Sequence, residues 1–184
     1  ENLLELKLVG GETLAIDDNY KVMEKCPADV VVHITTNATV TPKFNDKDIF
    51  DYISKFKEIH MNVSIEFWGD KNNYLRFPSK WDRIMDNVKK FKSFDNCIVN
   101  YHATINALNV GYMLEIIDNA DCPIAIDNLV YGENEIYSIV SVPPEIREQY
   151  LEKYYRDYRK ETDTIITYLE NIEYDKSQMI RMLQ

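Results

Sequence analysis

Hydrophobic and polar positions along the chain fall into short blocks whose period alternates between that of a strand and that of a helix. Leu3 to Val9 is the first β-rich run, stopped by Gly10-Gly11, and a helical stretch follows around Asn19 to Cys26. The second strand runs from Val30 to Thr36, where Val30-Val31-Val32-His33-Ile34 is nearly continuous, apolar and β-branched. Such a run fits a strand buried on both faces of a parallel sheet. Ile49, Tyr52, Ile53 and Phe56 then recur at helical spacing, which predicts a helix near Asp46 to Lys57.

The third strand is expected at Met61 to Glu66. Pro78-Ser79 announces the next helix, with Ser79 as its N-cap and Trp81, Ile84, Met85, Val88 and Phe91 as its apolar stripe. Ile98 to Thr104 is the fourth strand, a helix covers Val110 to Asn119, and the fifth strand starts at Pro123 and reaches Ile126 or slightly beyond. After Pro143-Pro144 the pattern becomes one long helix, Glu145 to Asn171, with Pro144 in its first turn. Tyr150, Tyr154 and Tyr158 form an aromatic stripe that docks this helix.

Strand and helix repeating in this way read as βαβ units around a parallel sheet. Their crossovers are right-handed, so the sheet curls toward a doubly wound sheet or a barrel. A complete (β/α)₈ barrel needs about 250 residues, and this chain has 184. The expected fold is therefore α/β: a partial (β/α) barrel with parallel strands over residues 1–142, plus a C-terminal helical extension over residues 143–184.

Composition narrows the function classes. Hydrophobic residues make up 45% and charged residues 28%, as in globular proteins, and no apolar run reaches the about 18 residues of a membrane span. The formal net charge of -10 argues against binding of a nucleic-acid backbone, which needs a Lys/Arg field. Residues 96–141 carry no Lys or Arg, but hold Glu115, Asp118, Asp121, Asp127, Glu133 and Glu135, so that stretch does not hold an anion by direct ion pairing. Residues 43–95 are slightly basic, 11 Lys/Arg against 9 Asp/Glu, which reads as a solvated face. Cys26, Cys97 and Cys122 are odd in number and widely spaced, with no CxxC pair. They read as small buried hydrophobes of a reducing, cytoplasmic compartment, and no secretory signal is visible. His33, His60 and His102 fit no metal-binding spacing and read as core or surface histidines.

Ligands of parallel sheets sit beyond the carboxyl ends of the strands. Those ends read Gly10-Gly11-Glu12-Thr13, Thr35-Thr36-Asn37-Ala38-Thr39, Ser64-Ile65-Glu66-Phe67-Trp68-Gly69 and Thr104-Ile105-Asn106, with Asn109 beyond. Small, hydroxyl, amide and carboxylate residues recur at one rim. This chemistry suits an amine, ribose hydroxyls and a flat base, and suits a polyphosphate poorly. Ser64 and Glu66 are two apart on a strand and so point to one side. Taken alone, an ordinary Gly-Gly turn, local capping by Thr36 and Asn37, and a surface carboxylate at Glu66 account for the same residues.

In their order, these strand ends resemble the radical S-adenosylmethionine (SAM) enzymes, and most closely the peptide-maturing branch with SPASM or twitch extensions. Leu6-Lys7-Leu8-Val9-Gly10-Gly11-Glu12-Thr13 is similar to the family's GGE segment after the second strand. Ile34-Thr35-Thr36-Asn37-Ala38-Thr39 is similar to its TTN segment, Val63-Ser64-Ile65-Glu66 to its ribose motif, and Thr104-Ile105-Asn106-Ala107-Leu108-Asn109 to its fifth-strand segment. The resemblance implies a site for SAM. Gly10, Gly11 and Glu12 would stand at the methionyl ammonium, Thr36 and Asn37 at the methionine moiety, Ser64 and Glu66 at the ribose, and Thr104 and Asn106 nearby. It further implies a four-iron, four-sulfur (4Fe-4S) cluster, a 5′-deoxyadenosyl radical and a peptide or small-molecule substrate.

The chain departs from that pattern in three places. The CxxxCxxC that binds the cluster lies upstream of GGE in the family, and only nine residues precede Gly10 here. A front segment carrying it is therefore expected to be missing, and the chain alone is expected to be inactive in radical chemistry. The glycine that follows the ribose motif is replaced by Phe67-Trp68, which either shape a substrate pocket or pack. No cysteine follows Cys122, so no auxiliary cluster is expected. Two alternatives stand beside this reading. One is a cluster-less barrel acting as a binding protein or partner subunit. The other is an unrelated barrel enzyme that uses Glu12 and Glu66 as a carboxylate pair.

Overall fold

Alternating burial builds the sheet, and the computed structural model describes it through residues 3–130 and 137–183. Glu1 and the acidic Glu133 and Glu135 lie outside the described residues. Five strands, β1 (Glu5–Leu8), β2 (Val31–Thr36), β3 (Glu58–Ile65), β4 (Cys97–Ile105) and β5 (Ile124–Leu129), are ordered in sequence across one sheet. Leu6 pairs with Val32 and His33 with His60, both in parallel register. A doubly wound sheet would reverse its strand order at a switch point. The monotonic order here makes the fold an α/β partial barrel of parallel strands with C-terminal helices, as expected.

The connections are α1 (Asp17–Lys25), α2 (Ile49–Ile53), α3 (Gly69–Leu75) with α4 (Trp81–Phe91), and α5 (Met113–Asp118). The chain packs as two compact units, Glu1–Tyr101 and His102–Gln184, whose boundary falls inside β4.

In the first unit the core face of the sheet is Val32, Ile34, Ile59, Met61, Val63 and Ile65, all fully buried. The other face alternates strictly with it and is half-buried: Val31, His33 and Thr35 on β2, and Glu58, His60, Asn62 and Ser64 on β3. This corrects the expectation that the second strand is buried on both faces. Its apolar run hides one polar face, because His33 and Thr35 stand opposite His60 and Asn62 in register. The third strand also begins earlier than expected, at Glu58, so Glu66 falls just past its end.

The helix expected over Asp46 to Lys57 is shorter. Asn45 and Asp46 adopt positive φ, and Asp48 caps α2 through a capping box with Asp51. α3 is a helix the hydrophobic pattern does not predict. It also changes how α4 starts. Ser79 is not the cap. Lys80 holds that position, and the Trp81 N–H donates instead to Asn73 Oδ1 on α3 at 2.6 Å. The Ser79 hydroxyl is buried without a partner.

In the second unit the single long C-terminal helix is replaced by α6 (Pro144–Arg156), α7 (Asp163–Asn171) and α8 (Lys176–Leu183). α6 stops at Asp157, which leaves helical backbone. The Thr162 hydroxyl donates to the Arg159 carbonyl at 2.6 Å and starts a new turn, so α7 folds back to pack against α6. Tyr154 is fully buried and donates to the Val110 carbonyl, and Tyr150 lies against Gly111. Tyr158 falls beyond α6 and is exposed, so only two of the three stripe tyrosines dock the helix.

Candidate functional site

The turn after β1 needs glycine for its backbone. Gly10 has φ +99° and Gly11 φ +48°, conformations that L side chains rarely adopt. Nothing lies within 4 Å of where a Cβ would stand at either position, so the backbone here is approachable from outside. Glu12 follows and is drawn into the protein. Its Oε1 accepts from the Leu14 N–H at 3.2 Å and from the Thr36 hydroxyl at 2.5 Å, and its Oε2 accepts from the Asn37 N–H at 2.8 Å. One carboxylate thus fastens the end of β1 to the end of β2.

The end of β2 is itself a folded turn. The Thr36 hydroxyl accepts from the Ala38 N–H at 2.9 Å. Asn37 Oδ1 accepts from the Thr39 N–H at 2.9 Å and from the Thr39 hydroxyl at 2.5 Å. Ala38, buried at φ +55°, is held by Asn87, whose amide donates to its carbonyl at 2.8 Å. Gly10, Gly11, Glu12, Thr36 and Asn37 are therefore brought into one bonded cluster, 24 residues of sequence being bridged by the Thr36–Glu12 bond.

Ser64 ends the polar face of β3, and Glu66 follows it on the same side. Glu66 Oε1 pairs with Arg76 Nη1 at 2.8 Å. Asn72, fully buried on α3, accepts with Oδ1 from the Glu66 N–H at 2.9 Å and the Phe67 N–H at 3.3 Å. Phe67 is buried, with Lys71 Nζ 4.2 Å from its ring centre. Trp68 packs edge-on against Trp81 and Tyr101, at 5.1 and 5.3 Å between ring centres. Of the two readings for Phe67-Trp68, packing is the one the structure carries. Glu12 and Glu66 each have their own partners and do not bond to one another.

Deeper on the same polar face, His33 and His60 stack at 4.5 Å with 23° between ring planes. His60 Nε2 lies 2.6 Å from Glu58 Oε1. Burial, and then the neighbouring His60, push the His33 pKa down from its ordinary value. Sequence reasoning placed these histidines singly. Their equivalent positions in register are the signal that joins them.

Thr104 and Asn106 lie in the second unit, at the end of β4. Asn106 and Asn109 are buried and cap one another: the Asn106 N–H donates to Asn109 Oδ1 at 2.8 Å, and the Asn109 N–H to Asn106 Oδ1 at 3.2 Å. Asn109 Nδ2 donates to the Thr104 carbonyl at 2.9 Å. Among the described residues no three His, Cys, Asp or Glu gather to hold a metal ion, and no helix is long and apolar enough to cross a membrane.

No family model matches the chain, and no curated protein matches it in sequence. Its fold is similar to that of two solved structures of Streptococcus suis SuiB. The one bound to S-adenosylmethionine has a TM-score of 0.55 and 18% identity, and the match covers 93% of this chain and 39% of that one. The other has a TM-score of 0.53 and 20% identity, covering 93% and 38%. The chain therefore has the fold of a segment of SuiB and spans well under half of that protein's length.

Proposed function

We propose that this chain is the SAM-binding portion of a radical SAM enzyme, of the kind that modifies a peptide or small molecule. The observation that carries the reading is the fold: nearly all of the chain follows the fold of a protein solved with SAM bound. The order of strand-end segments, GGE, TTN and SIE, supports it independently.

The residues fit the methionine end of that ligand. The Gly10-Gly11 turn leaves open space at the rim, so its carbonyls can accept from an ammonium. Asn37 and Thr36 stand beside it. Glu12 holds both turns together and so keeps the glycine carbonyls where the amine is bound. Ser64 and Glu66 accept the ribose hydroxyl protons.

The residues do not fit a 4Fe-4S cluster. Cys26 and Cys97 are buried and Cys122 is half-buried, and among the described residues no grouping is suited to iron. The share of this chain in the reaction is to bind and orient SAM. The cluster that supplies the radical chemistry needs ligands these residues do not provide.

Calorimetric titration of the iron-free chain tests the reading. SAM is expected to bind weakly, because no cluster anchors its amine and carboxylate; tight binding without iron overturns the division of labour. Sequencing the reading frame upstream of Glu1 is the complementary test. An in-frame CxxxCxxC within about one βα unit is expected. A start codon at or near Glu1 without that motif moves the protein to the cluster-less binding class.

A further inference from the structure

Asn72 is fully buried, and its amide is half used. Oδ1 takes two backbone N–H groups, from Glu66 and Phe67, which fixes which end of the amide is oxygen. Nδ2 is buried and has no acceptor. Buried donors without acceptors are rare and costly, and each asks for an explanation such as an absent bound group. One turn further along, Arg76 donates its own N–H to the Asn72 carbonyl at 2.9 Å and its guanidinium to Glu66 at 2.8 Å. Glu66 is thus held at its backbone by Asn72 and at its carboxylate by Arg76, with its side chain only 12% exposed.

We propose that Asn72 and Arg76 are determinants of ribose recognition, a role that rests on the SAM-binding reading above. Asn72 Nδ2 donates to a ribose hydroxyl, while the same diol donates to Glu66. Arg76 is a positioning residue that fixes the carboxylate. The chemistry selects the ligand group. Ionised Glu66 only accepts, and Asn72 Nδ2 only donates. A ligand carboxylate would meet Glu66 with like charge, and an ammonium could not accept from Asn72. A hydroxyl does both, and a vicinal diol presents two. A site built to bond a hydroxyl rejects an analogue lacking it, because its own buried groups are then left unpaired.

The test is a heteronuclear NMR titration of the whole chain, which reads weak binding and resolves side-chain amides. The probes are SAM, adenosine and 2′,3′-dideoxyadenosine. Adenosine is expected to move the Asn72 side-chain amide and to bind roughly tenfold more tightly than the dideoxy analogue, the worth of about one net hydrogen bond. Asn72→Asp keeps the acceptor and removes the donor, and Arg76→Met removes the clamp. Each should lower the ratio of the two affinities, and Arg76→Lys should restore part of what Arg76→Met loses. A role in folding alone would not move that ratio. Equal binding of the two nucleosides by the unaltered protein, or an Asn72 amide that does not respond, overturns the ribose assignment and leaves a trapped water as its partner. If neither SAM nor adenosine perturbs the rim at all, the SAM reading falls as well.

Discussion

Thr36 donates its hydroxyl to Glu12 across the ends of two neighbouring strands, at 2.5 Å. That hydroxyl also accepts from the Ala38 N–H, so one buried side chain serves both the carboxylate and the following turn. Thr36→Val keeps the shape, leaves the Ala38 N–H without its acceptor and leaves Glu12 Oε1 with the Leu14 N–H alone. It should cost about 2 kcal/mol, read as a lower denaturant midpoint with an unchanged slope. A loss within 0.5 kcal/mol would mean that water replaces the hydroxyl and that Glu12 is not the brace.

The glycines divide by physical cause. At Gly11 an added Cβ meets nothing, so Gly11→Ala should cost only the about 1–2 kcal/mol of a left-handed backbone. At Gly111 the Cβ would come within 2.5 Å of the Tyr150 ring on α6. Gly111→Ala should therefore destabilise by about 1–3 kcal/mol, and much less in a Tyr150→Ala background. Thermal unfolding of the double-mutant cycle checks this, and additive effects would exclude the contact as the cause.

His33 makes the first unit acid-sensitive. Its folded pKa lies below the ordinary value, through burial first, then His60 and Lys7, while Glu5 and Glu58 act the other way. Between the folded and unfolded pKa values the unfolded chain binds more protons, so stability rises with pH across that window. This contribution is complete above about pH 6.5 and is lost as pH falls through the folded value. His33→Gln should flatten the fall in melting temperature on acidification from neutral pH. An unchanged slope would assign the acid response to other groups.

Burial pushes the Cys97 thiol up to about 11. At pH 8 about one molecule in a thousand then carries the reactive thiolate. Alkylation of the folded protein should spare Cys97 and reach the half-buried Cys122 first, with Cys97 labelled only in denaturant. Peptide mapping by mass spectrometry reads the order. Early labelling of Cys97 would show that the start of β4 opens readily.

Local pattern made the strands and most helices legible, because each rests on side chains within a few residues of one another. Val30 to Ile34 and the Trp81 to Phe91 stripe are instances. The pattern failed where the deciding partner lay outside the window. Asn73 caps α4 from the preceding helix, so Ser79 only imitates a cap. The turn at Asp157 to Thr162 interrupts a helical period that the tyrosine spacing alone would continue. For the candidate site, strand-end chemistry pointed to Gly10, Gly11, Glu12, Thr36, Asn37, Ser64 and Glu66 in the first unit, and to Thr104 and Asn106 in the second. Arg76 and Asn72 carry no motif and emerge only once α3 folds back.

By itself the sequence determined the alternation of strand and helix, the parallel class of the sheet, the acidic balance and the polar character of the strand ends. Each follows from side-chain period or charge, which are properties of the unfolded chain as well. Tertiary structure alone decided the strand register that stacks His33 on His60, the use of Glu12 as a tie between β1 and β2, and the clamp of Asn72 and Arg76 on Glu66. Hydrogen bonds and ring contacts act over a few ångströms, so partners distant along the chain are fixed only when the backbone has brought them together.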